Sequence, residues 1–343
     1  MRPWRSSILA VLLPAVAALW GADARAATRP VRRPVSRAPL LPNLILPGAA
    51  SSFDLAVGEA SRRAVAGSGG AVVAMDPRTG RVLAIVNPSR ALVRAYTPCS
   101  VFKIVVAIAG LSEGVITPET VYTCQKGCWM WPGHGPIDLR RALAVSCNPY
   151  FEWVGEQLGY EKVQRYAHLL GLGEPSGINL TGETAGIVPA SVPPAAVGHL
   201  SSHAAGIETS AVQIAVLLSA AINGGIVFQP QVDGPEGFAP KERWRLPEGT
   251  RLEGLSEGFV GAVNEGSATS AFDPDVVVAG KTGTCSRLGW FASYAPADDP
   301  SLVLVVFLPR GSGHAASAVA GRIYQELFHR PAAGEAPTAA GGF

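Results

Sequence analysis

The chain has 343 residues, of which 48% are hydrophobic and 16% are charged, so it can form a sizeable core and a wholly disordered chain is excluded. Its 39 glycines and 28 prolines follow no Gly-X-Y period, which excludes collagen and predicts many turns. The net charge of +2 hides an asymmetry, because seven arginines and one acid lie in residues 1–40 and the remainder carries 21 basic and 25 acidic residues. The net acidic remainder argues against nucleic-acid binding.

The first 26 residues resemble an export signal. Arg2 and Arg5 precede an apolar run from Ile8 to Trp20, and small residues follow as far as Ala26. This run is shorter than the roughly 20 residues that a membrane-spanning helix needs, so we expect cleavage after Ala26. An uncleaved anchor is the alternative. Either predicts an exported protein of the periplasm or cell envelope, where disulfides can form.

Both ends of the exported part have the composition of unstructured chain. Residues 27–50 are rich in proline and arginine and predict an extended tether. Residues 331–343 are small, rich in proline and glycine, and predict a disordered tail. The folded domain is therefore expected over residues 51–330, and the absence of an internal repeat excludes solenoids and propellers.

Cys124 and Cys128 are the only close pair among the five cysteines. An oxidising compartment and the turn-forming Gly127 favour a disulfide between them. A zinc site is the alternative, but it needs two more ligands and His134 is the only nearby candidate. We therefore expect no metal, and the chemistry considered below requires no other cofactor.

Strand and helix patterns are segregated along the domain. Residues 71–75 and 81–86 flank a turn and predict an antiparallel hairpin. Residues 101–111 are apolar nearly all round and predict a buried helix. Further helices are predicted at 137–145, 149–158, 161–170 and 209–222, further strands at 276–279, 289–295 and 302–308, and a closing helix at 315–328. We therefore expect one sheet built from both ends of the domain, with a helical insertion between them.

The first motif with chemical potential is Ser100-Val-Phe-Lys103, at the start of the buried helix. A serine and a lysine three residues apart share a helix face. Burial disfavours the ammonium form of lysine, so Lys103 could act as a base that activates Ser100 as a nucleophile. The alternative is a helix-capping serine and a lysine that extends to solvent.

The second motif is Ser146-Cys147-Asn148, followed by Pro149. A loop could direct Ser146 and Asn148 into a cleft, where a hydroxyl relays a proton and an amide holds a substrate amide. Taken alone, the pattern favours Asn148 as the N-cap of the helix that Pro149 begins.

The third motif is Lys281-Thr-Gly-Thr284, which follows the apolar strand 276–279. Strand alternation places Thr282 and Thr284 on one face, and Gly283 leaves room for close packing or for substrate. A positive charge with hydroxyls suits a substrate carboxylate. The alternative is an ordinary strand end with a solvated lysine.

The three motifs, in this order and about 45 and 135 residues apart, resemble the active-site set of penicillin-recognising serine enzymes. The resemblance extends over about residues 51–330 and includes residues 71–86, 132–159, 171–189, 266–268 and 289–300. Within that superfamily, these segments resemble the transpeptidase domain of class B penicillin-binding proteins.

This resemblance implies a role for each residue of the motifs. Ser100 would be acylated, with Lys103 as its base, and Ser146 would pass a proton to the leaving amine. Asn148 would bind the amide of the stem peptide, and Lys281 would orient Ser146 electrostatically. Thr282 and Thr284, which flank Gly283, would bind the substrate carboxylate, and the backbone N–H groups of Ser100 and Thr284 would form the oxyanion hole.

The resemblance also implies an α+β fold, in which a five-stranded antiparallel sheet is flanked by helices and carries an all-helical subdomain. The implied reaction is peptidoglycan cross-linking. Ser100 attacks a D-Ala-D-Ala bond, D-alanine leaves, and the amine of a neighbouring stem peptide accepts the acyl group. β-Lactams would acylate the same serine, and no metal or cofactor takes part.

Two features depart from the family pattern. Members usually carry a large domain before the transpeptidase, whereas the tether is too short to contain one, so a glycosyltransferase or another division or elongation protein could be a partner. Cys99, Cys147 and Cys285 each adjoin a motif. We expect them to be small packed thiols, and the alternative is a disulfide between two of them that silences the site.

Three other functions share parts of this pattern. A class D β-lactamase shares the first and third motifs, but its second motif ends in an aliphatic residue where this chain has Asn148, and its Tyr-Gly-Asn motif is absent here. A D,D-carboxypeptidase would use water as the acceptor. A β-lactam or muropeptide sensor would stay acylated, but such receptors usually have a transmembrane signalling segment, which the sequence after residue 26 does not contain.

Overall fold

A computed structural model describes residues 43–233 and 237–329. The predicted signal segment 1–26, most of the tether and the tail 331–343 lie outside the described residues. Within them, no helix is both long enough and apolar enough to cross a membrane.

The described residues form ten strands and ten α-helices, with five α-helices in succession between β5 and β6. The strands are β1 (Leu44–Ile45), β2 (Ala71–Met75), β3 (Val82–Val86), β4 (Tyr122–Cys124), β5 (Gly135–Ile137), β6 (Ile226–Phe228), β7 (Glu242–Arg245), β8 (Ala279–Cys285), β9 (Leu288–Ala295) and β10 (Leu302–Leu308). The helices are α1 (Ser52–Ala64), α2 (Pro88–Ala91), α3 (Lys103–Ser112), α4 (Leu139–Ala144), α5 (Asn148–Leu158), α6 (Tyr160–Leu169), α7 (Val197–His203), α8 (Ala211–Ile222), α9 (Leu255–Asn264) and α10 (Gly313–Phe328). Short 3-10 helices include Cys99–Phe102, directly before α3.

The main sheet is antiparallel, with strand order β1-β3-β2-β10-β9-β8. Alternate side chains of the central strands enter two different cores. Val72 and Leu304 pack in the core that contains α10, whereas Val73 and Val305 pack in the core that contains α3 and α8. Because both faces are covered by helices, every residue of β2 and β10 is buried.

The predicted α+β architecture is therefore confirmed, with five principal strands and the short edge strand β1. The tether prediction is wrong at its C-terminal end, because Leu44 and Ile45 pair with Val86 and Ile85 of β3. The strand predicted at 276–279 is also displaced. It begins at Ala279 and runs through the third motif to Cys285, so that motif lies within an edge strand of the sheet rather than after one.

Candidate active site

The first motif lies at the junction of two kinds of helix. Ser100 belongs to the 3-10 helix, and α3 begins at Lys103. Cys99, just before the serine, has a φ of 54°, in the left-handed region that L residues seldom adopt. Backbone geometry of this kind is often found at functional sites. The turn leaves Ser100 at the wall of a cleft.

The second motif links α4 to α5 and has a different local structure from the one predicted. Ser146 has a positive φ of 55°, and Cys147 takes the N-cap position while Asn148 is the first helical residue. The prediction that Asn148 caps α5 is therefore wrong. Its side chain is directed to Lys103 instead.

Lys103 joins the first two motifs. Its Nζ donates to the Ser146 carbonyl oxygen at 2.8 Å, to Ser146 Oγ at 3.2 Å and to Asn148 Oδ1 at 2.6 Å. Among the described residues, Ser100 Oγ is not one of its hydrogen-bond partners, which differs from the contact expected from helical spacing. Hydrogen bonds of catalytic groups commonly tighten only when substrate is bound.

Lys103 has the electrostatic character of a base. The side chain is fully buried, and loss of hydration disfavours its charged form, which lowers its pKa to about 7. The Cys147, Cys128 and Glu152 side chains oppose this shift. A neutral amine is therefore well populated near neutral pH, and the alternative of a lysine that extends to solvent is wrong.

The third motif contributes hydroxyl groups to the lining of the same cleft. Thr282 Oγ1 and Ser267 Oγ lie 2.6 Å apart, and Thr284 Oγ1 accepts a hydrogen bond from the Gly313 N–H at 2.7 Å. Lys281 is fully buried, so the alternative of a solvated lysine is wrong. Its Nζ donates to the Thr282 carbonyl, and burial together with the nearby Lys103 lowers its pKa well below the usual value.

Gly283 allows the first and third motifs to approach each other. A Cβ at this position would lie 2.6 Å from the Pro98 carbonyl oxygen and 3.1 Å from Val101 Cγ2. The first distance is far inside van der Waals contact, so the 3-10 helix can pack on β8 only if residue 283 is glycine.

The three motifs meet in one cleft of about 410 Å³. Ser100, Ser146, Asn148, Thr282 and Thr284 all line it. Sequence reasoning did not single out other lining residues, namely Trp129, His203, Ser267, Ser312 and His314. Ser267 falls in the segment 266–268, whose resemblance to the family could have indicated it. No local pattern indicated His203 or His314.

The cysteines pair differently from the prediction. Cys99 and Cys285 form a disulfide with a Cα–Cα distance of 5.7 Å, whereas Cys124, Cys128 and Cys147 are free. The predicted bridge between Cys124 and Cys128 is therefore not formed. The disulfide joins the residue before Ser100 to the residue after Thr284, so the 3-10 helix that carries Ser100 is covalently linked to β8.

The free thiols lie together with a histidine. The Sγ atoms of Cys124, Cys128 and Cys147 and a ring nitrogen of His134 lie within 4.8 Å of one another, with His134 Nδ1 at 3.2 Å from Cys128 Sγ. Three thiolates and one imidazole form a common structural zinc set. Burial, Arg141 and Lys103 lower the pKa of His134 and so favour the neutral ring that binds metals.

The structure thus brings together a set of four candidate ligands that the sequence pattern did not supply. The additional candidate ligand is Cys147, which comes from the second motif and is remote from Cys124 in sequence. A zinc ion held by these four residues would link the β4–β5 segment to the loop that carries Ser146 and Asn148. With four protein ligands it would serve a structural role.

Comparison with known proteins identifies the family. The family model described as "Penicillin binding protein transpeptidase domain" matches residues 70–329. The chain belongs to this family. It is 28% identical over 314 residues to stage V sporulation protein D of Bacillus subtilis, covering 74% of this chain and 48% of that protein. It is 27% identical over 350 residues to the peptidoglycan D,D-transpeptidase MrdA of Haemophilus influenzae, covering 78% and 54%.

Solved structures agree with this assignment. A chain from a study of structural coordination of polymerization and crosslinking by a peptidoglycan synthase complex has a TM-score of 0.71 and 26% identity, covering 81% of this chain and 62% of that one. The chain spans about half the length of the curated relatives named above.

Proposed function

We propose that this protein is a serine D,D-transpeptidase that cross-links peptidoglycan stem peptides and is acylated by penicillin at Ser100. The observation that carries the proposal is the convergence of the three motifs on one cleft, with the buried Lys103 amine between the first two. Membership of the transpeptidase family and the similarity to a D,D-transpeptidase support it.

The proposed acylation begins with a proton transfer. Neutral Lys103 takes the proton from Ser100 as its Oγ forms a bond to the carbonyl carbon of a D-Ala-D-Ala peptide bond. The contact between Lys103 Nζ and Ser146 Oγ at 3.2 Å offers a route for that proton to the leaving amine. The C–N bond breaks, D-alanine departs with the proton, and the acyl group remains on Ser100.

The remaining groups bind the substrate and the developing charge. The hydroxyls of Thr282 and Thr284 suit the terminal carboxylate, with the buried Lys281 behind them adding positive potential when it is charged. The backbone N–H groups of Ser100 and Thr284 are the proposed oxyanion donors. An N–H of Asn148 that faces the cleft would bind the amide carbonyl of the stem peptide. An amine from a second stem peptide then takes the acyl group and restores Ser100.

The site of action follows from the substrate. Peptidoglycan lies outside the cytoplasmic membrane, so we propose an exported protein of the periplasm or cell envelope. The similar synthase structure concerns coordinated polymerization and crosslinking, which supports a glycosyltransferase partner that supplies the glycan strands.

The proposal is tested by incubating the full chain with a fluorescent penicillin and following labelling and release over hours. A Ser100→Ala variant is the control, and thermal unfolding verifies that it is folded. Stable labelling that depends on Ser100 is the expected result. A D-Ala-D-Ala peptide with an added acceptor amine then distinguishes a cross-linked product from simple hydrolysis.

Other outcomes identify other functions. Labelling followed by rapid release would indicate a β-lactamase, and hydrolysis without transfer would indicate a carboxypeptidase. Stable labelling without turnover of any peptide would favour a sensor. Absence of labelling in a folded protein, with or without reductant, would contradict the proposal.

A further inference from the structure

His203 lines the cleft at the end of α7, beside the second motif. Its side chain is 34% exposed, and its Nε2 lies 3.3 Å from Asn148 Nδ2. None of the three motifs contains this residue. Its position next to Asn148 nonetheless brings a titratable ring into contact with a proposed substrate-binding amide.

The hydrogen-bond chemistry specifies which atoms face each other. Lys103 Nζ donates to Asn148 Oδ1 at 2.6 Å, so the oxygen of the Asn148 amide faces Lys103; an amine keeps N–H donors for this bond in both its charged and its neutral form. The amide nitrogen therefore faces His203. Because that nitrogen is a donor, His203 Nε2 must accept, which requires the neutral ring with its proton on Nδ1.

The other ring nitrogen has a partner for that proton. His203 Nδ1 lies 2.5 Å from Ser202 Oγ, and Ser202 Oγ donates to Glu152 Oε1 at 2.9 Å. The ring can thus donate to Ser202 while Ser202 donates to the carboxylate. A continuous chain of hydrogen bonds runs from Lys103 through Asn148, His203 and Ser202 to Glu152, and at each link a donor meets an acceptor.

We propose that neutral His203 is a positioning residue, which holds the Asn148 amide with its oxygen on Lys103 and one N–H directed into the cleft. This inference rests on the acylation proposed above. One N–H of Asn148 is bonded to His203, and the second remains for the carbonyl of a stem peptide or a β-lactam.

Protonation of His203 would reverse this arrangement. An imidazolium has two donors, so its Nε2–H would face the Asn148 donor. The amide would have to turn its oxygen toward His203, and Lys103 would lose its shortest hydrogen bond. Acylation should therefore fall when the ring becomes charged.

The charged and titratable groups around the ring are His199, Lys103 and Glu152. His199 stacks on His203 with ring centroids 4.4 Å apart. Burial lowers the pKa of His203, His199 and Lys103 lower it further, and Glu152 opposes them. The net lowering keeps the ring neutral at neutral pH, which is the form that the hydrogen-bond chain requires.

The test measures the second-order rate constant for acylation by a fluorescent penicillin from pH 5 to pH 8, using the full chain. In the wild type, Lys103 alone would lower the rate about tenfold per pH unit below its pKa, and protonation of His203 should make the fall steeper. In His203→Gln the side-chain oxygen accepts at every pH, so the extra steepness should disappear while the rate at pH 8 stays within about threefold of wild type.

Two further variants complete the design. His203→Leu has no acceptor and should lower the rate about tenfold or more at every pH. His199→Gln changes the ring that stacks on His203 but leaves the contact between His203 and Asn148. The acylation rate should therefore still fall steeply at low pH, but the pH at the midpoint of the fall should change. Nitrogen NMR of the histidine rings provides an independent readout, with the Nδ1–H tautomer expected for His203 at pH 8.

The possible failures are distinguishable. If the folded wild type is not labelled at all, the proposed function fails and this inference fails with it. If the wild type is labelled but His203→Leu reacts at the wild-type rate, only the positioning role is overturned. The positioning role would also be overturned if His203 carried its proton on Nε2 at pH 8, or if the acylation rate of His203→Gln fell as steeply at low pH as that of the wild type.

Discussion

Lys103 Nζ lies 2.6 Å from Asn148 Oδ1. The buried amine of the first motif therefore donates a hydrogen bond to the second motif rather than to Ser100. The Ser146 carbonyl oxygen, 2.8 Å from Lys103 Nζ, is a second acceptor, and it is uncharged. The amine therefore gains hydrogen bonds while burial still lowers its pKa to about 7. A base in this position lies between the proposed nucleophile and the proposed proton relay.

We expect acylation to rise with pH and to level off above about 7, the pKa of Lys103. A pKa lowered by burial means that the neutral amine predominates above that pH, whereas the ammonium below it cannot accept the proton of Ser100. The measurement is the acylation rate constant between pH 6.5 and pH 9. Lys103→Met should lower the rate by about 10²–10⁴-fold, and the surface variant Lys162→Met should match the wild type. A rate that does not depend on pH would contradict the assignment.

The Cys99–Cys285 disulfide should stabilise the domain. It closes a loop of 186 residues, and removal of a native disulfide typically lowers the unfolding free energy by about 2–5 kcal/mol. Denaturant unfolding of the double variant Cys99→Ala/Cys285→Ala against the oxidised wild type would measure it. Equal midpoints would contradict the expectation.

The same disulfide bears on the hypothesis that oxidation silences the site. The motifs line a common cleft while the bond is present, so we expect that reductant does not increase the acylation rate. The double variant is the control, since reductant cannot act on this bond there. A several-fold gain in the wild type alone would favour the silencing hypothesis.

The cluster of Cys124, Cys128, His134 and Cys147 should bind one zinc ion per chain. Metal analysis after dialysis against zinc, together with competition by a coloured chelator, would measure occupancy and affinity. Cys124→Ser removes one ligand and should lower the affinity roughly tenfold or more, because even changes behind metal ligands cost 10–100-fold. The Cys99→Ala/Cys285→Ala variant keeps all four ligands and should retain the metal. Equal zinc content in Cys124→Ser and wild type would refute the site.

Gly283→Ala should separate the first and third motifs. Its Cβ would meet the Pro98 carbonyl oxygen at 2.6 Å, and overpacking of this kind typically costs about 1–3 kcal/mol. We expect a lower unfolding free energy and slower acylation. Gly48→Ala is a matched control, because its Cβ would meet its nearest neighbour at 3.4 Å. If the two variants behave alike, the close approach is not needed for activity.

Local sequence patterns predicted much of the fold, because the spacing of apolar residues and the turn residues between them favour particular helices and hairpins. The apolar run near 101–111 had to be a buried helix, and the hairpin of β2 and β3 follows from two apolar runs around a turn. Local sequence patterns gave wrong predictions where pairing with a distant segment of the chain determines the structure. Strand β8 starts later than its apolar residues suggest because it pairs along its whole length with β9, from Ala279 with Tyr294 to Cys285 with Leu288.

The sequence by itself determined the family, the order of the three motifs and the residue types of the proposed chemistry, because these are properties of residues and their spacing. Only the tertiary structure decided which side chains meet. Cys99 pairs with Cys285 rather than remaining a thiol, Cys147 joins Cys124 and Cys128 beside His134, and His203 reaches Asn148. Each of these contacts joins residues that are remote along the chain, so packing of whole helices and strands sets their distances and no local pattern records them.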